Sequence, residues 1–253
     1  MLLRNILNST RFSKRRSGWI SFTRPRQLAN CRLVFTHIDI RNPLPADIRE
    51  RLPGSAVVIQ FPPLDLNLLW PLHAQDPRNV EEPDFPFGRF PYGDRVVIGL
   101  MRQGLAGQHL WSAYQEKSLA ALPDLDRLRR MEEERLWARD AKSDIAVLPI
   151  IEEALTERPI FATINHPRGW LLGRMWGPLM EEARRRLGLS QPTEQITERI
   201  FKVWDPLNVV EMPLHPAVAE HFELKWWRPD LQYRYHSEML RWEEFMQRYI
   251  DWR

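Results

Sequence analysis

The sequence predicts an α/β fold, in which a small, mainly parallel sheet is flanked by helices and followed by a helical C-terminal part. Apolar runs of strand type alternate with a helical pattern early in the chain, and a proline cluster between Pro62 and Pro91 predicts a long loop segment. From Leu125 onward, helical periodicity dominates. The 253 residues, 43% of them hydrophobic, suffice for one large α/β domain, which we place at residues 33–253.

Residues 1–32 form a basic leader. Eight arginine and lysine residues precede Asp39, the first acidic residue, whereas the net charge of the whole chain is only +3. Such a leader is compatible with an arm for nucleic acid or another anionic surface, with an Arg/Ser-rich organelle-targeting peptide, or with an upstream extension that is poorly integrated into the fold. Since no nucleic-acid-binding motif follows, we favour the extension, expect it to be poorly ordered and expect no nucleic-acid partner.

Cysteine usage and hydropathy limit the cellular setting. The single cysteine, Cys31, excludes an internal disulfide and a cysteine-rich zinc site, and it is compatible with a reducing compartment. No apolar run approaches the roughly 20 residues that a transmembrane helix needs, and no stretch has the form of a standard signal peptide. The sequence therefore predicts a cytoplasmic protein without a transmembrane segment.

The first elements predict a parallel βαβ unit. The β-branched and aromatic run "LVFTHIDI", from Leu33, is typical of a strand, and "RNPLPADIRERLPG" predicts a loop and a short helix. The apolar run "SAVVIQF" predicts the second strand. The seven prolines between Pro62 and Pro91 then exclude long helices and regular sheet pairing, so we expect an irregular segment that lies over the domain.

The second half predicts helices and one further strand. The segment "DLDRLRRMEEERLWARDAKSDIAVLPIIEEALTE" predicts helix, with alternating charges on a solvated face and four apolar residues on the other: Leu125, Leu128, Met131 and Leu136. "PIFATI" predicts a third strand, after which apolar residues at helical spacing lead to Gly188 as a C-cap: Leu171, Leu172, Met175, Leu179 and Ala183. An aromatic loop and an amphipathic helix end the chain.

The strongest candidate site is the tripeptide Asn165-His166-Pro167, between the third strand and the following helix. Asn is a good N-cap residue and Pro is favoured in the first helical turn, so one interpretation is a helix cap beside a bystander histidine. The other rests on position, because ligands bind at the carboxyl ends of strands in open α/β sheets and a helix N-terminus there favours anions. In that case His166 can act as a general base.

Two weaker candidates lie earlier in the chain. In "FPYGDRVV", Asp94 either caps the following helix or orients a catalytic group, and Arg95 either forms a surface ion pair or binds a phosphate or carboxylate. In "HAQDPRN", His73 and Asp76 can line a pocket, but this spacing is too common to indicate a metal, and we predict none. The chain has no glycine-rich nucleotide motif, no G-x-S-x-G turn and no H-E-x-x-H motif.

Taken in order, these segments resemble the WcbI family of polysaccharide-biosynthesis enzymes. The similarity covers roughly Phe35 to Gly188 and runs through "VVIQ", the proline-rich stretch, "FPYGDRVV", the charged helix and "FATINHPRGWLL". Its two markers are the Tyr-x-Asp-Arg turn and the Asn-His-Pro strand end. They are matched here by Tyr92, Asp94, Arg95, Asn165, His166 and Pro167.

The resemblance implies an α/β protein that binds coenzyme A and transfers an acetyl group from acetyl-CoA to a sugar hydroxyl of a surface polysaccharide such as a capsule. It also implies a sugar or polysaccharide acceptor as partner. Acyl transfer needs a base for the hydroxyl proton, donors for the oxyanion and groups that hold the CoA phosphates. On this interpretation His166 and Asp94 are catalytic, and the residues that contact CoA are Tyr92, Arg95, Asn165 and Arg168.

The N-terminus departs from the family pattern. Members begin with an apolar strand that leads into a Gly-Asn-Cys-Gln turn, whereas this chain offers "LANCRLVF", with Ala29 and Arg32 in place of Gly and Gln. Cys31 also lies only 29 positions before Gln60, which leaves no room for the helix and strand expected between them. We therefore interpret "ANCR" as a coincidental match, treat the first βα unit as missing or replaced by the basic leader, and assign Cys31 no nucleophilic role.

Two other functions stay open at this level. The chain could be a catalytically incomplete glycan- or nucleotide-binding relic, in which Trp226, Trp227, Tyr233 and Tyr235 stack on sugar rings rather than pack around the C-terminal helix. Less favoured is an SGNH-like acyl hydrolase, which requires an early nucleophile, and no Gly-Asp-Ser turn is present. Association into a homo-oligomer is also left open.

Overall fold

The computed structural model describes residues 28–38, 46–190 and 209–252. Most of the basic leader predicted for residues 1–32 lies outside these ranges; within its last five residues, Leu28 is buried. The described residues form eight helices and eight short strands, and the strands pair as four two-stranded sheets. Buried apolar side chains between Ile59 and Ile250 pack into one core cluster.

The N-terminal elements confirm the predicted βαβ unit. Strand β1 (Leu33–His37), helix α1 (Ala46–Arg51) and strand β2 (Val57–Phe61) follow one another, and the two strands are parallel. Cys31 stands just before β1, where its thiol donates a hydrogen bond to the Leu33 carbonyl at 3.1 Å. The thiol therefore has a backbone partner at the amino end of β1.

Parallel pairing is limited to β1 and β2 among the described strands. The other three pairs are antiparallel: β3 (His73–Ala74) with β4 (Gly93–Asp94), β5 (Phe161–Thr163) with β6 (His166–Pro167), and β7 (Gln232–Tyr235) with β8 (Glu238–Arg241). The mainly parallel sheet that we expected is thus a mixed set of small sheets. Short connections explain the difference, because two residues can join antiparallel strands, as in β5–β6 and β7–β8, whereas a parallel pair needs a crossover of about a dozen or more.

The proline-rich segment at residues 62–91 is less superficial than predicted. It is described throughout, and its strand-type pairing is confined to β3 and one bridge between Glu82 and Phe85. It nevertheless places six large apolar side chains in the core: Leu66, Leu68, Leu69, Trp70, Leu72 and Phe90. The Leu66 N–H donates to the Ile164 carbonyl at 2.7 Å. This bond ties the segment to the turn between β5 and β6.

Four helices form the centre of the chain: α2 (Arg95–Arg102), α3 (Gly107–Lys117), α4 (Leu125–Asp140) and α5 (Leu148–Ala154). The continuous helical prediction is interrupted after Asp140, whose carboxylate accepts hydrogen bonds from the Val147 and Leu148 N–H groups at the start of α5. A carboxylate that satisfies the free N–H groups of a helix start stabilises that start.

The charged face of α4 is not wholly solvated, in contrast to the prediction. Glu132 is buried and accepts a hydrogen bond from the Asn67 N–H at 2.8 Å, and Arg135 pairs with both Glu132 and Asp65. Met131, which the spacing assigns to the apolar face, is exposed. Charges lie on the inner side of α4 because they bind the proline-rich segment, whose polar groups need partners.

Helix α6 (Gly169–Leu187) confirms the predicted helix and its cap. Gly188 ends it with a φ of 63°, a left-handed conformation that favours glycine. The side chains that the helix buries are Leu171, Met175, Leu179 and Ala183, whereas Leu172 is half-buried. The helix packs against β2 of the βαβ unit.

The C-terminal part holds a hairpin that the sequence pattern does not predict. The aromatic loop expected there contains the antiparallel pair β7–β8, and α7 (Pro216–His221) precedes it. Helix α8 (Trp242–Asp251) confirms the predicted terminal helix and packs against α3 and the hairpin. None of the helices in the described ranges has both the length and the apolar character that crossing a membrane would require.

Candidate functional site

The tripeptide Asn165-His166-Pro167 lies in a strand-to-strand turn, not at a helix start. His166 and Pro167 form β6, and α6 begins only at Gly169, with Arg168 as its N-cap residue. The prediction that Asn165 caps the helix and Pro167 opens it is therefore wrong. A residue that precedes proline avoids the helical region, which favours the extended conformation of His166.

Three side chains meet around the Tyr92 hydroxyl. The hydroxyl donates a hydrogen bond to Oδ1 of Asn165 at 2.9 Å and lies 3.3 Å from Nδ1 of His166. The buried Thr163 hydroxyl also donates to Oδ1 of Asn165, at 3.2 Å. The Tyr92 and His166 rings meet edge to face, with their centroids 6.0 Å apart. The structure thus brings together three predicted site residues and adds Thr163 to them.

The directions of these hydrogen bonds determine which nitrogen of His166 is available. Because the Tyr92 hydroxyl gives its proton to Asn165, its oxygen is left as the acceptor for an Nδ1–H group of His166. A neutral imidazole carries one proton, so Nε2 then has a free lone pair. Burial lowers the pKa of His166, which favours the neutral form near pH 7. In this arrangement, Nε2 of a neutral His166 can accept a proton.

Both carboxylate oxygens of Asp94 are engaged by partners other than His166. Its Oδ1 accepts hydrogen bonds from the Val96 and Val97 N–H groups at 2.7 and 3.1 Å, which caps α2. Its Oδ2 accepts one from the Tyr114 hydroxyl at 3.1 Å. Burial raises the pKa of Asp94, and the hydrogen bonds to its carboxylate oppose that rise. The geometry favours the capping interpretation over an orienting role.

Gly93 allows the backbone of β4 to lie directly against Tyr249 of α8. A side chain at this position would bring its Cβ within 2.8 Å of the Tyr249 hydroxyl and 2.9 Å of the Ala74 carbonyl oxygen, closer than such contacts occur. The Tyr249 hydroxyl accepts from the Asp94 N–H at 3.1 Å and donates to the buried Asp76 at 2.6 Å. One phenol therefore holds β4 and Asp76 together beneath the site.

A cavity, which we name the first cavity, opens beside Tyr92. Its empty volume is about 480 Å³, including the part that is open to solvent, and its lining is mainly apolar and aromatic. The residues around it include Tyr92, Asp94, His73, His215, Trp242 and Met246. His166 is not part of this lining, but it contacts Tyr92, which is.

Two further histidines line the first cavity. Burial lowers the pKa of His73, and the ring of His73 packs with its centroid 5.7 Å from that of Tyr92. His215 accepts a hydrogen bond at Nδ1 from the Ala217 N–H, so its proton lies on Nε2, 3.2 Å from the Ser118 hydroxyl. Burial also lowers the pKa of His215. Of the "HAQDPRN" candidates, His73 lies at a cavity as proposed.

Asp76, the other residue of that candidate, is engaged in the fold. Burial alone would raise the pKa of Asp76, but hydrogen bonds from Arg78 and Tyr249 hold that pKa below its ordinary value. Arg78 in turn donates to the Trp252 carbonyl at 2.6 Å and stacks on the Trp252 ring. Asp76 therefore anchors the end of the chain. Within the described residues, no group of three His, Cys, Asp or Glu side chains is arranged to hold a metal ion.

Arg95 and Arg168, the two arginines that the resemblance assigns to coenzyme A, lie in different surroundings. The exposed Arg95 donates to the Ala121 carbonyl at 2.7 Å and forms no ion pair with a carboxylate of the described residues. Arg168 pairs with the buried Glu211 at 3.0 Å and lines a second cavity, whose empty volume is about 450 Å³ including the part open to solvent. Trp70 lines both cavities.

The sequence-based prediction does not include Thr163, which bonds to Asn165, or Glu211 and His215, which line the cavities. Thr163 directly follows the apolar run of β5, so its strand-end position could have indicated it. Glu211 and His215 lie in a stretch without a motif or a periodic pattern, and tertiary packing alone brings them to the cavities.

The comparisons with known proteins confirm the family resemblance. A family model described as "Polysaccharide biosynthesis enzyme WcbI" matches residues 22–192, more than half of the chain. A solved structure of WcbI, described as a novel polysaccharide biosynthesis enzyme in its native form without a disulfide bond between coenzyme A and a cysteine, has a similar fold. Its TM-score is 0.64 at 17% identity, over 89% of this chain and 72% of that one. No curated protein matches. The chain belongs to the WcbI family of polysaccharide biosynthesis enzymes.

Proposed function

We propose that this protein binds coenzyme A and transfers an acetyl group from acetyl-CoA to a sugar hydroxyl during polysaccharide biosynthesis. The observation that carries the proposal is the contact between Tyr92 and His166, which leaves a neutral histidine with a free Nε2 beside a residue that lines the first cavity. Family membership supports a sugar substrate, and the coenzyme A named for the solved WcbI structure supports the donor. Transfer to a hydroxyl needs a base of this kind.

In the proposed reaction, Nε2 of His166 takes the proton of the acceptor hydroxyl as the hydroxyl oxygen attacks the thioester carbonyl carbon. A C–O bond forms, the C–S bond of acetyl-CoA breaks, and the proton passes from His166 to the CoA thiolate. The Tyr92 hydroxyl accepts the hydrogen bond from Nδ1–H of His166 throughout the reaction, and Asn165 orients Tyr92 by accepting a hydrogen bond from its hydroxyl. A neutral hydroxyl stabilises the imidazolium less than a carboxylate would, so this partner is compatible with the lowered pKa of His166.

The first cavity and Arg95 are the proposed CoA site. The cavity has a largely apolar lining, which suits the uncharged pantetheine arm, and Arg95 offers an exposed guanidinium for a phosphate. Tyr92, which lines the cavity, and Asn165, which is hydrogen-bonded to it, are proposed to contact the thioester end. Arg168 suits a phosphate less, because Glu211 already neutralises it.

An SGNH-like hydrolase is less well supported. A serine does bond to a cavity histidine, because Ser118 lies at Nε2 of His215, but Ser118 is buried. The Nε2 atom carries the proton, since Nδ1 accepts from the Ala217 N–H, so His215 is not able to take the proton of Ser118. This pair therefore lacks the arrangement of an activated nucleophile.

The non-catalytic glycan-binding alternative depends on aromatic side chains. Tyr235 is buried and packs against Phe90 and Phe245, which favours a role in the core. Trp226 and Trp227 are only half-buried. Glycan contact and catalysis are therefore compatible in one chain, and a base beside a residue that lines a cavity favours the enzyme.

Titration calorimetry with coenzyme A tests the donor site. We expect the wild-type protein to bind CoA and Arg95→Ala to bind it at least about tenfold more weakly, because one charge-assisted hydrogen bond is lost. Arg102→Ala, at the other end of α2, is the matched control and should bind like the wild type. A folded wild-type protein that binds no CoA would contradict the proposal.

His166→Gln tests the base separately from binding. We expect this variant to keep its CoA affinity, whereas acetyl-CoA turnover with a sugar acceptor should fall by about 10²- to 10⁴-fold, the usual effect of losing a general base. Turnover at the wild-type rate in His166→Gln would exclude His166 as the base.

A further inference from the structure

We propose that the second cavity binds a neutral sugar ring and is the acceptor subsite of the transfer proposed above, on which this inference rests. Its empty volume is about 450 Å³, part of which is open to solvent, so a ligand can enter it from the surface. Its polar and aromatic lining includes Arg168, Glu211, Trp226, Gln232 and Tyr233. This combination of an aromatic wall with fixed polar groups suits a ring that has apolar faces and hydroxyl edges.

The charged part of the cavity is a fixed ion pair. Nη2 of Arg168 lies 3.0 Å from Oε1 of Glu211, and Oε2 of Glu211 accepts a hydrogen bond from the Arg234 N–H at 3.2 Å. The Glu211 side chain is about nine-tenths buried, so its position is set by the fold. A carboxylate has about four acceptor positions, and hydroxyl groups can use those that the protein leaves free.

The charge of this pair selects against an anionic ligand. Arg168 and Glu211 together carry no net charge, and a phosphate placed on the arginine would stand beside the carboxylate as a like charge. A sugar hydroxyl brings no charge and can donate to Glu211 while it accepts from another group. The second cavity is therefore matched to an uncharged polyol rather than to the phosphates of a nucleotide.

Two further side chains complete the proposed subsite. The Trp226 indole N–H donates to the Leu155 carbonyl at 2.9 Å, which holds the ring in place as part of the lining. Gln232 is exposed at the cavity, and its amide makes no hydrogen bond within the part of the chain that the structure describes. It therefore offers both a donor and an acceptor to a ligand.

The position of the second cavity suits an acceptor. Trp70 and Met212 line both cavities, so the two adjoin. His166 contacts Tyr92 of the first cavity, and Arg168 of the second cavity follows His166 by two residues. A thioester in the first cavity and a hydroxyl of a sugar in the second would meet near the turn between β5 and β6.

Saturation-transfer NMR tests the subsite with four probes: the methyl glycosides of glucose, galactose, mannose and N-acetylglucosamine. We expect the wild-type protein to transfer saturation to at least one of them, and Gln232→Ala to reduce that signal at least threefold. Gln115→Ala, an exposed glutamine on α3, is the matched control and should leave the signal unchanged. Gln232→Ala is the decisive variant because an exposed side chain can be removed without unfolding the chain, and Glu211→Gln should have a similar effect.

Calorimetry with coenzyme A on the same variants separates this inference from the proposed function. Gln232→Ala should bind CoA like the wild type, which supports two distinct sites. If none of the four glycosides binds the wild type, the acceptor subsite is overturned while the proposed donor site stands. If Gln232→Ala loses CoA binding, the second cavity holds CoA, and both the acceptor subsite and the proposed donor site are overturned. If the wild type binds a glycoside through Gln232 but binds no CoA, the sugar specificity of the cavity holds and the proposed transfer fails.

Discussion

The variant Tyr92→Phe removes a single oxygen atom and tests how His166 is held. That oxygen donates to Asn165 and is the acceptor available to Nδ1–H of His166, whereas the edge-to-face ring contact stays in the variant. A hydrogen bond of this kind contributes about 0.5–1.5 kcal/mol. If that energy orients the base in the transition state, kcat/KM for acetyl transfer should fall roughly 2- to 12-fold, with little change in CoA affinity.

Nitrogen NMR of the histidine side chains measures directly which ring nitrogen of His166 carries the proton. In the wild type, we expect the proton of neutral His166 on Nδ1, and in Tyr92→Phe a mixture of the two tautomers. His215 is an internal control, because its Nδ1 accepts from the Ala217 N–H and its Nε2–H tautomer should persist in both proteins. The reasoning would be refuted by a wild-type His166 with its proton on Nε2, or by a variant in which tautomer and turnover are both unchanged.

The remaining predictions concern stability and pH. Gly93→Ala should destabilise the fold by about 1–3 kcal/mol, because the added Cβ meets the Ala74 carbonyl oxygen and the Tyr249 hydroxyl. The control Gly99→Ala has open space in α2 and should be neutral or stabilising by up to about 1 kcal/mol. Equal denaturant midpoints for the two variants would contradict this. Asp94→Ala should lower the free energy of unfolding by about 0.5–2 kcal/mol because the helix cap is lost, whereas Asp94→Asn should keep both stability and acetyl-transfer activity. A large loss of acetyl-transfer activity in Asp94→Asn would instead support an orienting role for Asp94. Burial lowers the pKa of three histidines, so the unfolded state binds more protons and the free energy of unfolding should fall as the pH drops from about 7 to about 5. The residues concerned are His73, His166 and His215. Urea midpoints at the two pH values measure this, and a midpoint that rises on acidification would oppose it.

The sequence predicts those elements whose local pattern agrees with their tertiary environment. The apolar runs of β1 and β2 flank a short helix, which leaves parallel pairing as the natural outcome. In α6 the helical spacing of apolar residues and the C-terminal Gly188 indicate the same helix and the same end. An element can be predicted from sequence when its local pattern and its tertiary contacts favour the same structure.

Elements that depend on distant partners were predicted less well. Glu132 is part of a charged helical pattern, and only the approach of Asn67 explains its burial. Asn165 and Pro167 have the residue types of a helix start, yet the turn between β5 and β6 places them before α6. The bond from Leu66 to Ile164 is one reason, because it ties that turn to a segment about a hundred residues away in sequence.

The sequence predicted which residues belong to the candidate site but not which of them bond to one another. The family order indicates that Tyr92, Asn165 and His166 belong together, and the structure brings them within hydrogen-bonding distance. The sequence left Asp94 open as either a helix cap or an orienting residue, since a carboxylate is the usual partner of a catalytic histidine. Asp94 does not reach the ring of His166, because its carboxylate accepts hydrogen bonds from the Val96 and Val97 N–H groups and from the Tyr114 hydroxyl.

A titration with acetyl-CoA, followed through the side-chain nitrogen resonances of the histidines, tests most directly whether the first cavity presents the thioester to His166. We expect saturable shifts at Nε2 of His166 and at His73, with no shift at His109, which is exposed on α3 and lies outside the cavity lining. Shifts confined to His109, or no binding by the folded protein, would contradict a CoA-dependent transfer at this site.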